Sequence, residues 1–96
     1  EKILKITNMS SEDIDLWEVN EAFASVAMAA IDDFQLNKAN VNIYGGAVAL
    51  GHPIGASGAR ILTTLLNGLH RTKGRFGLAT LCIGGGEASA LIIEKI

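Results

Sequence analysis

The sequence has 96 residues, of which 49% are hydrophobic and 19% charged, with eleven glycines, one cysteine and a net charge of −2 at pH 7. This length allows one small domain, and the high apolar and low charged fractions exclude a disordered chain, a collagen and a coiled coil. The charge gives no general attraction to nucleic acid or acidic membranes, the single cysteine excludes an internal disulfide, and no apolar stretch reaches the ~20 residues of a transmembrane helix.

The first third of the chain predicts two short helical segments, a strand and a longer helix. Residues 1–6 have a helical pattern, residues 11–14 could begin a helical turn, and residues 16–20 alternate apolar and polar side chains like a short strand. From Glu21 to residue 35, the apolar side chains recur at helical spacing, and the remaining positions are mostly small or apolar. We therefore expect this helix to be buried on most sides.

The rest of the chain predicts the strands of a mixed sheet and one more helix. Residues 41–43 form a second short strand, and a glycine-rich loop at residues 45–58 leads into a helix with a leucine-rich stripe. Residues 76–83 and 88–93 are two further strands, joined as an antiparallel hairpin by the glycines at 84–86. The order β-α-β-α-β-β predicts an α/β fold in which a mixed sheet packs against helices.

Glycine-rich loops commonly bind phosphate, and histidine and cysteine commonly bind metal ions, but neither function fits this sequence. No lysine follows a glycine in the loop at 45–58 as a phosphate-binding loop requires, and Ser89 stands where the third glycine of a dinucleotide-binding loop would follow the glycines at 84–86. His52 and Cys82 are too few to hold zinc, which takes four ligands in structural sites. We therefore predict neither a mononucleotide loop nor a metal site.

His52, Cys82 and Asn20 are instead compatible with acyl-transfer chemistry. His52 lies in a constrained, glycine-lined turn before Pro53, which leaves its imidazole accessible to a substrate. Cys82 ends an apolar strand directly before three glycines, whose N–H groups could face a developing oxyanion. Asn20 ends a strand, where its polar side chain needs a partner. Simpler interpretations are favoured on spacing alone: Asn20 as the N-cap of the next helix, Cys82 as inert core and His52 as a hydrogen-bonded loop residue.

Three blocks of the sequence resemble the signature blocks of the thiolases. They are Asn-Glu-Ala-Phe at residues 20–23, the long block containing Gly-His-Pro at residues 42–58, and Cys-Ile-Gly at residues 82–84. The blocks occur in the thiolase order, the resemblance covers essentially the whole chain, and the middle block is highly specific. The chain therefore resembles the C-terminal part of an acetyl-CoA C-acyltransferase. The resemblance implies the C-terminal half of a thiolase-like fold, with residues 1–96 as the thiolase C-terminal domain and the N-terminal nucleophile domain absent from this sequence.

The same resemblance implies roles for five residues. His52 resembles the histidine that activates the nucleophilic cysteine and helps to bind a thioester oxygen, which suits imidazole because one ring nitrogen can donate while the other accepts. Cys82 resembles the second cysteine, the acid/base that moves a proton at the acetyl α-carbon. Gly84 would offer a backbone N–H to one oxyanion hole, and Asn20 would hold a water for the other. Phe23 would wall the acyl or pantetheine pocket.

The implied function is the interconversion of two acetyl-CoA molecules with acetoacetyl-CoA and CoA, or the thiolysis of a 3-ketoacyl-CoA. The CoA thioesters are substrates, and no cofactor, metal, nucleic acid or membrane partner is expected. The expected partners are acyl-CoA, the missing N-terminal domain and, in the full-length protein, other copies in a homo-oligomer. A cytoplasmic location is expected, with mitochondria or another organelle as alternatives.

Two other functions stay open at this point. The first is a non-catalytic thiolase-fold protein that binds acyl-CoA or lipid. A cysteine in a suitable loop of the missing N-terminal half would favour the enzyme over this binding protein. The second is a condensing enzyme of the ketosynthase type, which would be expected to have a second histidine where Asn20 or Cys82 stands, and this chain has none there.

The 96-residue chain alone is predicted to be inactive, because its only cysteine lies in the second-cysteine block and the nucleophile is missing. Pure chain mixed with acetoacetyl-CoA and CoA should show no thiolysis above background in a spectrophotometric assay.

The isolated chain should also self-associate or be marginally stable, because an all-round apolar helix leaves an apolar face uncovered. Turnover by the pure chain would overturn this division of roles, and a sharply monomeric, cooperatively unfolding species would contradict the second expectation.

Overall fold

The computed structural model describes all 96 residues, as four α-helices, three strands and two 3₁₀ turns (Ser11–Asp13 and Lys38–Asn40). The helices are α1 (Lys2–Thr7), α2 (Ala24–Phe34), α3 (Ala47–Leu50) and α4 (Ser57–Thr72), and the strands are β1 (Leu16–Val19), β2 (Phe76–Gly84) and β3 (Glu87–Glu94). None of the helices is both long and apolar enough to cross a membrane. The predicted helix with the leucine-rich stripe corresponds to α4, and the predicted C-terminal hairpin corresponds to β2 and β3.

The three strands form one mixed sheet in the order β1-β2-β3. β1 is parallel to β2, with Leu16 opposite Gly77, and β2 is antiparallel to β3. Gly85 and Gly86, which connect β2 with β3, have φ angles of 61° and 83°. Positive φ at both residues suits the two-residue turns whose twist matches that of the flanking strands. The α/β class predicted from the sequence is confirmed.

β1 is buried on both faces because helices cover both sides of the sheet. Successive side chains of a strand point to opposite faces, so Leu16 packs with α4 while Trp17 packs with α1 and α2. The core on the α2 side comprises Leu4, Ile14, Trp17, Val19, Ala27, Val41 and Leu78, and the core on the α4 side comprises Leu16, Ile61, Leu65, Leu69 and Ala79. The alternation also places Glu18 on the α4 side.

The strand predicted at residues 41–43 is wrong, because this segment makes only a single parallel bridge, between Val41 and Trp17. Asn42 has a left-handed backbone with φ of 49°, which ends the extended conformation after one residue. Its side chain continues the pairing, since Oδ1 accepts the N–H of Val19 at 2.8 Å and Nδ2 donates to the Val19 carbonyl at 2.9 Å. The sheet therefore has three strands rather than the predicted four.

The helix predicted from residue 21 begins at Ala24 and is far less buried than expected. Ala27 is its only buried residue. Met28 is 63% exposed, and Phe23 at the N-cap is 75% exposed. One stripe of α2 packs against the sheet, and no other element of this chain covers its outer side. The prediction of burial on most sides is therefore wrong for this chain, because the apolar pattern extends beyond the surface that the chain itself can cover.

α4 approaches the sheet closely because a glycine stands at each of two contacts. A Cβ on Gly77 of β2 would lie 2.8 Å from Cδ1 of Leu65, and a Cβ on Gly68 of α4 would lie 2.9 Å from Cδ1 of Leu16. Both distances are shorter than a Cβ tolerates, and Leu65 is only 1% exposed. Side chains in such close-packed cores have little room to shift. The two glycines thus set the spacing between α4 and the sheet.

Gly77→Ala is predicted to destabilise the chain by about 1–3 kcal/mol, because the added methyl group would overpack the buried Leu65. The measurement is urea denaturation followed by circular dichroism. Gly58→Ala in the first turn of α4 is the matched control, since a Cβ there meets nothing within 4 Å. Alanine at this helical position should leave stability equal or higher. If Gly77→Ala were as stable as the unmodified chain, the close packing described here would be contradicted.

Candidate active site

The polar residues predicted from the sequence lie at one edge of the sheet, where β1 and β2 end. Asn20 directly follows β1, and its N–H donates to the Thr80 carbonyl of β2 at 2.9 Å. Cys82 and Gly84 form the end of β2, and the loop between α3 and α4 carries His52. Parallel strands end at the same edge of a sheet, and the crevice outside these ends is where α/β sheets bind ligands. The topology therefore places the candidate residues in a ligand-binding position.

Asn20 is buried and contacts His52. Its Nδ2 lies 3.4 Å from Nε2 of His52, and its Oδ1 is buried without a hydrogen-bond partner. The N-cap of α2 is Phe23, so Asn20 is not the helix cap that the sequence also allowed. Burying an amide oxygen costs free energy unless the oxygen accepts a hydrogen bond. Oδ1 of Asn20 is therefore an open acceptor beside the imidazole.

Ser57, the first residue of α4, holds His52 from the other side of the ring. Nδ1 of His52 lies 2.5 Å from Oγ of Ser57, and this hydroxyl donates to the Pro53 carbonyl at 3.1 Å. Ser57 has no exposed surface, whereas His52 is partly exposed. Ser57 was not among the site residues predicted from the sequence. The available signal was a serine at the start of a helix, five residues after the histidine.

His52 and Cys82 line one open cavity of about 360 Å³. Gly84 lines the same cavity, together with Ile54, Leu81, Ile83 and Ser89. Cys82 is exposed, so it is not the inert core cysteine that the strand pattern also allowed. No three His, Cys, Asp or Glu side chains are grouped so that they could hold a metal ion. The structure brings together four of the five predicted residues, since Asn20 joins the cavity residues through His52.

The backbone at Gly84 departs from regular strand geometry. An irregularity in the pairing with β3 lies between Cys82 and Gly84, and Gly84 has φ of 119°. L-amino-acid side chains rarely adopt this conformation, whereas glycine adopts it without steric cost. No atom lies within 4 Å of the position that a Cβ would take. The space next to the Cα of Gly84 is therefore open.

Phe23 lies apart from these four residues. It precedes the first turn of α2, it is largely exposed, and it is not among the residues that line the cavity of His52 and Cys82. Its role as a wall of an acyl or pantetheine pocket would require surfaces outside this chain and stays a prediction.

Glu21 fixes the loop that leads to His52. Its Oε2 accepts the N–H of Val48 at 3.0 Å, and its Oε1 accepts Nδ2 of Asn42 at 3.4 Å. A Cβ on Gly46 would lie 2.3 Å from Cδ of Glu21, so the glycine leaves room for the carboxylate. Val48 belongs to α3, a helical turn that the sequence analysis did not predict within this loop. The glutamate that follows Asn20 in the first sequence block thus has a structural role.

Glu18 is a buried carboxyl group on the α4 side of β1. Only 2% of it is exposed, and its Oε2 has no hydrogen-bond partner. Burial raises the pKa of Glu18 to about 7, the Arg60 guanidinium opposes this rise and the Glu21 carboxylate adds to it. Three buried guanidinium nitrogens of Arg60 are also unpaired. Two ionisable groups without direct hydrogen bonds therefore lie in the interior between β1 and α4.

Comparison with known proteins finds similar sequences over the full chain. Residues 1–95 match the family model described as "Thiolase, C-terminal domain". The chain is 53% identical over 95 residues to the mitochondrial acetyl-CoA acetyltransferase of Rattus norvegicus, covering 99% of this chain and 22% of the relative. It is 56% identical over 86 residues to the cytosolic acetyl-CoA acetyltransferase of Mus musculus, covering 90% of this chain and 22% of the relative.

A solved structure is also similar. The crystal structure of Acat5 thiolase from Ascaris suum in complex with coenzyme A has a TM-score of 0.90 and 49% sequence identity to this chain. The match covers 99% of this chain and 24% of the Ascaris chain. This chain therefore spans less than a quarter of the length of these relatives, and it folds as the corresponding part of the Ascaris structure does.

Glu18→Gln is predicted to change how stability depends on pH. The pKa of Glu18 is about 7 in the folded chain, against an ordinary value of 4.5. The folded state therefore binds the proton more tightly, so the free energy of unfolding falls as pH rises from about 4.5 to about 7. Glutamine has no such proton to lose, and the stability of Glu18→Gln relative to the unmodified chain should grow across this interval.

Urea denaturation at several pH values between 4 and 8 measures this difference. Glu12→Gln, which removes a carboxylate from the exposed surface, is the matched control for the loss of one negative charge. Parallel stability profiles for Glu18→Gln and the unmodified chain would contradict the raised pKa of Glu18.

Proposed function

This chain belongs to the thiolase family, and we propose that it forms the C-terminal catalytic part of an acetyl-CoA acetyltransferase. Such an enzyme interconverts two molecules of acetyl-CoA with acetoacetyl-CoA and free CoA. The observation that carries the proposal is that His52 and Cys82 line one open cavity while Asn20 contacts His52. The names of the relatives, and the coenzyme A complex of the Ascaris thiolase, support the substrate class.

His52 acts in the first half of the proposed reaction. The nucleophilic cysteine is supplied by the rest of the protein, as the thiolase resemblance implies. His52 takes the proton of that thiol, the thiolate attacks the thioester carbon of acetyl-CoA, and CoA leaves as a thiolate that takes a proton back. The imidazole is held between Asn20 and Ser57, which supports this role because a general base must be oriented toward the proton it removes.

Cys82 acts in the second half of the proposed reaction. Its thiolate removes a proton from the α-carbon of a second acetyl-CoA, and the resulting carbanion attacks the acyl carbon held by the nucleophilic cysteine. The new carbon–carbon bond forms as the bond from the acyl carbon to the nucleophile's sulfur breaks. The exposed position of Cys82 at the cavity supports this role. In the thiolysis direction the Cys82 thiol returns the proton to the α-carbon.

Gly84 and Asn20 stabilise the negative charge that develops on the carbonyl oxygens. Gly84 offers its N–H to one oxyanion, and its position on the wall of the cavity that contains Cys82 supports this role. Oδ1 of Asn20 is buried and unpaired, which supports the proposal that it holds a water molecule. That water would direct a hydrogen toward the thioester oxygen beside Nε2 of His52. Donors preorganised around a developing oxyanion are commonly the largest single contribution to catalysis.

The N-terminal thiolase domain is the proposed partner for the apolar surface of this chain. Phe23, Val48, Ile54 and Ile83 are each at least 65% exposed. Exposed apolar patches of this kind mark interaction sites. The chain covers 22% of the length of its acetyltransferase relatives, so a further domain of the size needed is available in proteins of this family. This domain would cover the outer face of α2, bring the nucleophile to His52 and complete the acyl pocket at Phe23.

Assembly and location are further parts of the proposal. The full-length protein would be a homo-oligomer and would act in the cytoplasm or in an organelle such as the mitochondrion. The relatives include proteins named as mitochondrial and as cytosolic, so acyl-CoA metabolism in either compartment is compatible with this chain.

The roles of His52 and Cys82 can be separated in a chimera in which this chain replaces the matched segment of the rat relative, aligned over 95 residues. His52→Ala should impair formation of the acyl-enzyme from radiolabelled acetyl-CoA. Cys82→Ser should still form the acyl-enzyme, but its condensation rate should fall by about 10²–10⁴-fold, the usual contribution of an acid–base group. Serine causes this loss because its hydroxyl is a far weaker acid than a thiol. The experiment compares the trapped label with the rate of acetoacetyl-CoA formation.

His70→Ala is the matched control, because His70 is an exposed residue of α4 outside the cavity. This variant should keep both rates. Normal labelling of His52→Ala together with failure of Cys82→Ser to acylate would reverse the two roles. Near-normal turnover of both variants would make these residues structural and would favour the non-catalytic acyl-CoA-binding protein.

A further inference from the structure

We propose that Ser57 is a positioning residue that keeps the neutral His52 imidazole in the tautomer with its hydrogen on Nδ1. Nε2 then carries the free electron pair and faces Asn20. The tautomer itself follows from the hydrogen bonds of this chain, and its consequence for catalysis rests on the function proposed above. Ser57 would act through His52 and would not touch the substrate.

The hydroxyl of Ser57 has one hydrogen to donate, and in the structure Oγ donates it to the Pro53 carbonyl, which also accepts the N–H groups of Ala56 at 2.7 Å and of Ser57 at 2.8 Å. The Pro53 carbonyl can only accept, and it lies 3.1 Å from Oγ of Ser57. Thr63 and Thr72 of the same helix donate to the carbonyls four residues earlier, at 2.8 and 2.9 Å, which is the pattern that Ser57 follows. With its hydrogen used in this way, Oγ of Ser57 must accept from Nδ1 of His52 at 2.5 Å.

The opposite side of the ring is consistent with this assignment. Nδ2 of Asn20 has only hydrogens to donate, and it lies 3.4 Å from Nε2 of His52. The hydrogen bonds run from the Pro53 carbonyl through the Ser57 hydroxyl and the His52 imidazole to the Asn20 amide nitrogen. The carbonyl at the first end can only accept, and the amide nitrogen at the other end can only donate. Ser57 is fully buried and Asn20 is 1% exposed, so bulk water does not compete for these bonds. Both ends therefore favour a hydrogen on Nδ1.

The consequence concerns the step in which His52 accepts the proton of the nucleophilic thiol. The bond between Nε2 and the proton can form only if Nε2 is unprotonated beforehand, which is the tautomer that Ser57 favours. The hydrogen bond from Nδ1 to Ser57 persists in the imidazolium and stabilises its positive charge. Without the Ser57 oxygen, part of the neutral His52 would carry its hydrogen on Nε2 and could not act as a base there.

The first test reads the tautomer directly in the unmodified chimera with the rat relative, because the isolated chain is expected to self-associate. Long-range ¹H–¹⁵N spectra of the histidine-labelled chimera, recorded at a pH where His52 and His70 are neutral, distinguish protonated from unprotonated ring nitrogens. His70 is exposed and serves as the internal reference for an unconstrained imidazole. We expect a protonated Nδ1 and an unprotonated Nε2 for His52. A folded chimera with its His52 hydrogen on Nε2 would overturn the proposal.

The second test uses the chimera with the rat relative and measures the rate of acyl-enzyme formation across pH. Ser57→Ala should lower this rate by about tenfold to a hundredfold, the factor expected for losing a hydrogen bond to a charged group. Ser57→Thr retains a hydroxyl and should recover most of the rate. Circular dichroism checks that each variant is folded. An unchanged acylation rate in Ser57→Ala would overturn the proposal.

The two tests separate this inference from the proposed function. If the unmodified chimera is folded but forms no acyl-enzyme, the proposed function fails, whereas the tautomer measured in the same chimera still decides whether Ser57 keeps the hydrogen of the His52 imidazole on Nδ1. If the chimera acylates and Ser57→Thr is as slow as Ser57→Ala although both are folded, the hydroxyl is not the responsible group and the proposal is wrong.

Discussion

β1 runs parallel to β2 over four residues, and this pairing determines where the candidate site residues meet. Two parallel strands end at the same edge of the sheet, so Asn20 and Cys82 both lie at that edge although 62 positions separate them in the chain. The crossover between the strands must return to the start of β2, and α4 performs this return across one face of the sheet. α4 therefore begins at the edge where β1 and β2 end, and the loop before α4 places His52 at that edge.

Side chains, more than regular backbone pairing, determine the path of that loop. Asn42 pairs with the backbone of Val19 as a strand residue would, and Glu21 binds the N–H of Val48. Ser57 then joins the imidazole of His52 to the start of α4. Loops usually vary in conformation because they make few such bonds. Here Val19, Glu21 and Ser57 hold the segment at three points, and the last of them orients the imidazole of His52.

The sequence was sufficient for the elements whose patterns are strong and local. The stripe containing Ile61, Leu65 and Leu69 predicted α4, and the three glycines predicted the hairpin. The strand at 41–43 was mispredicted because a periodic pattern does not reveal a left-handed Asn42, a conformation that asparagine tolerates better than most residues. The burial of α2 was overestimated because burial depends on which surfaces are present, and periodicity identifies only which face is apolar.

The candidate site divides in the same way. His52, Cys82, Gly84 and Asn20 stand in short blocks whose residue types point to chemistry, and the structure places them together. Ser57 and Glu21 could not be assigned from the sequence, because their contacts depend on how the loop folds back on itself. The exposure of Phe23 could not be predicted either, because it depends on which other surfaces are present to cover this side chain.

The close contact between Gly77 and Leu65 has a consequence for how the chemistry could be tuned. Leu65 stands eight residues after Ser57 on one rigid helix, roughly 12 Å along its axis. A substitution that moves α4 away from the sheet at this contact would be expected to displace Ser57 as well, because both residues belong to one continuous helix. Because Ser57 contacts His52, a substitution in the buried core would then change the position of the imidazole without replacing any residue that lines the cavity.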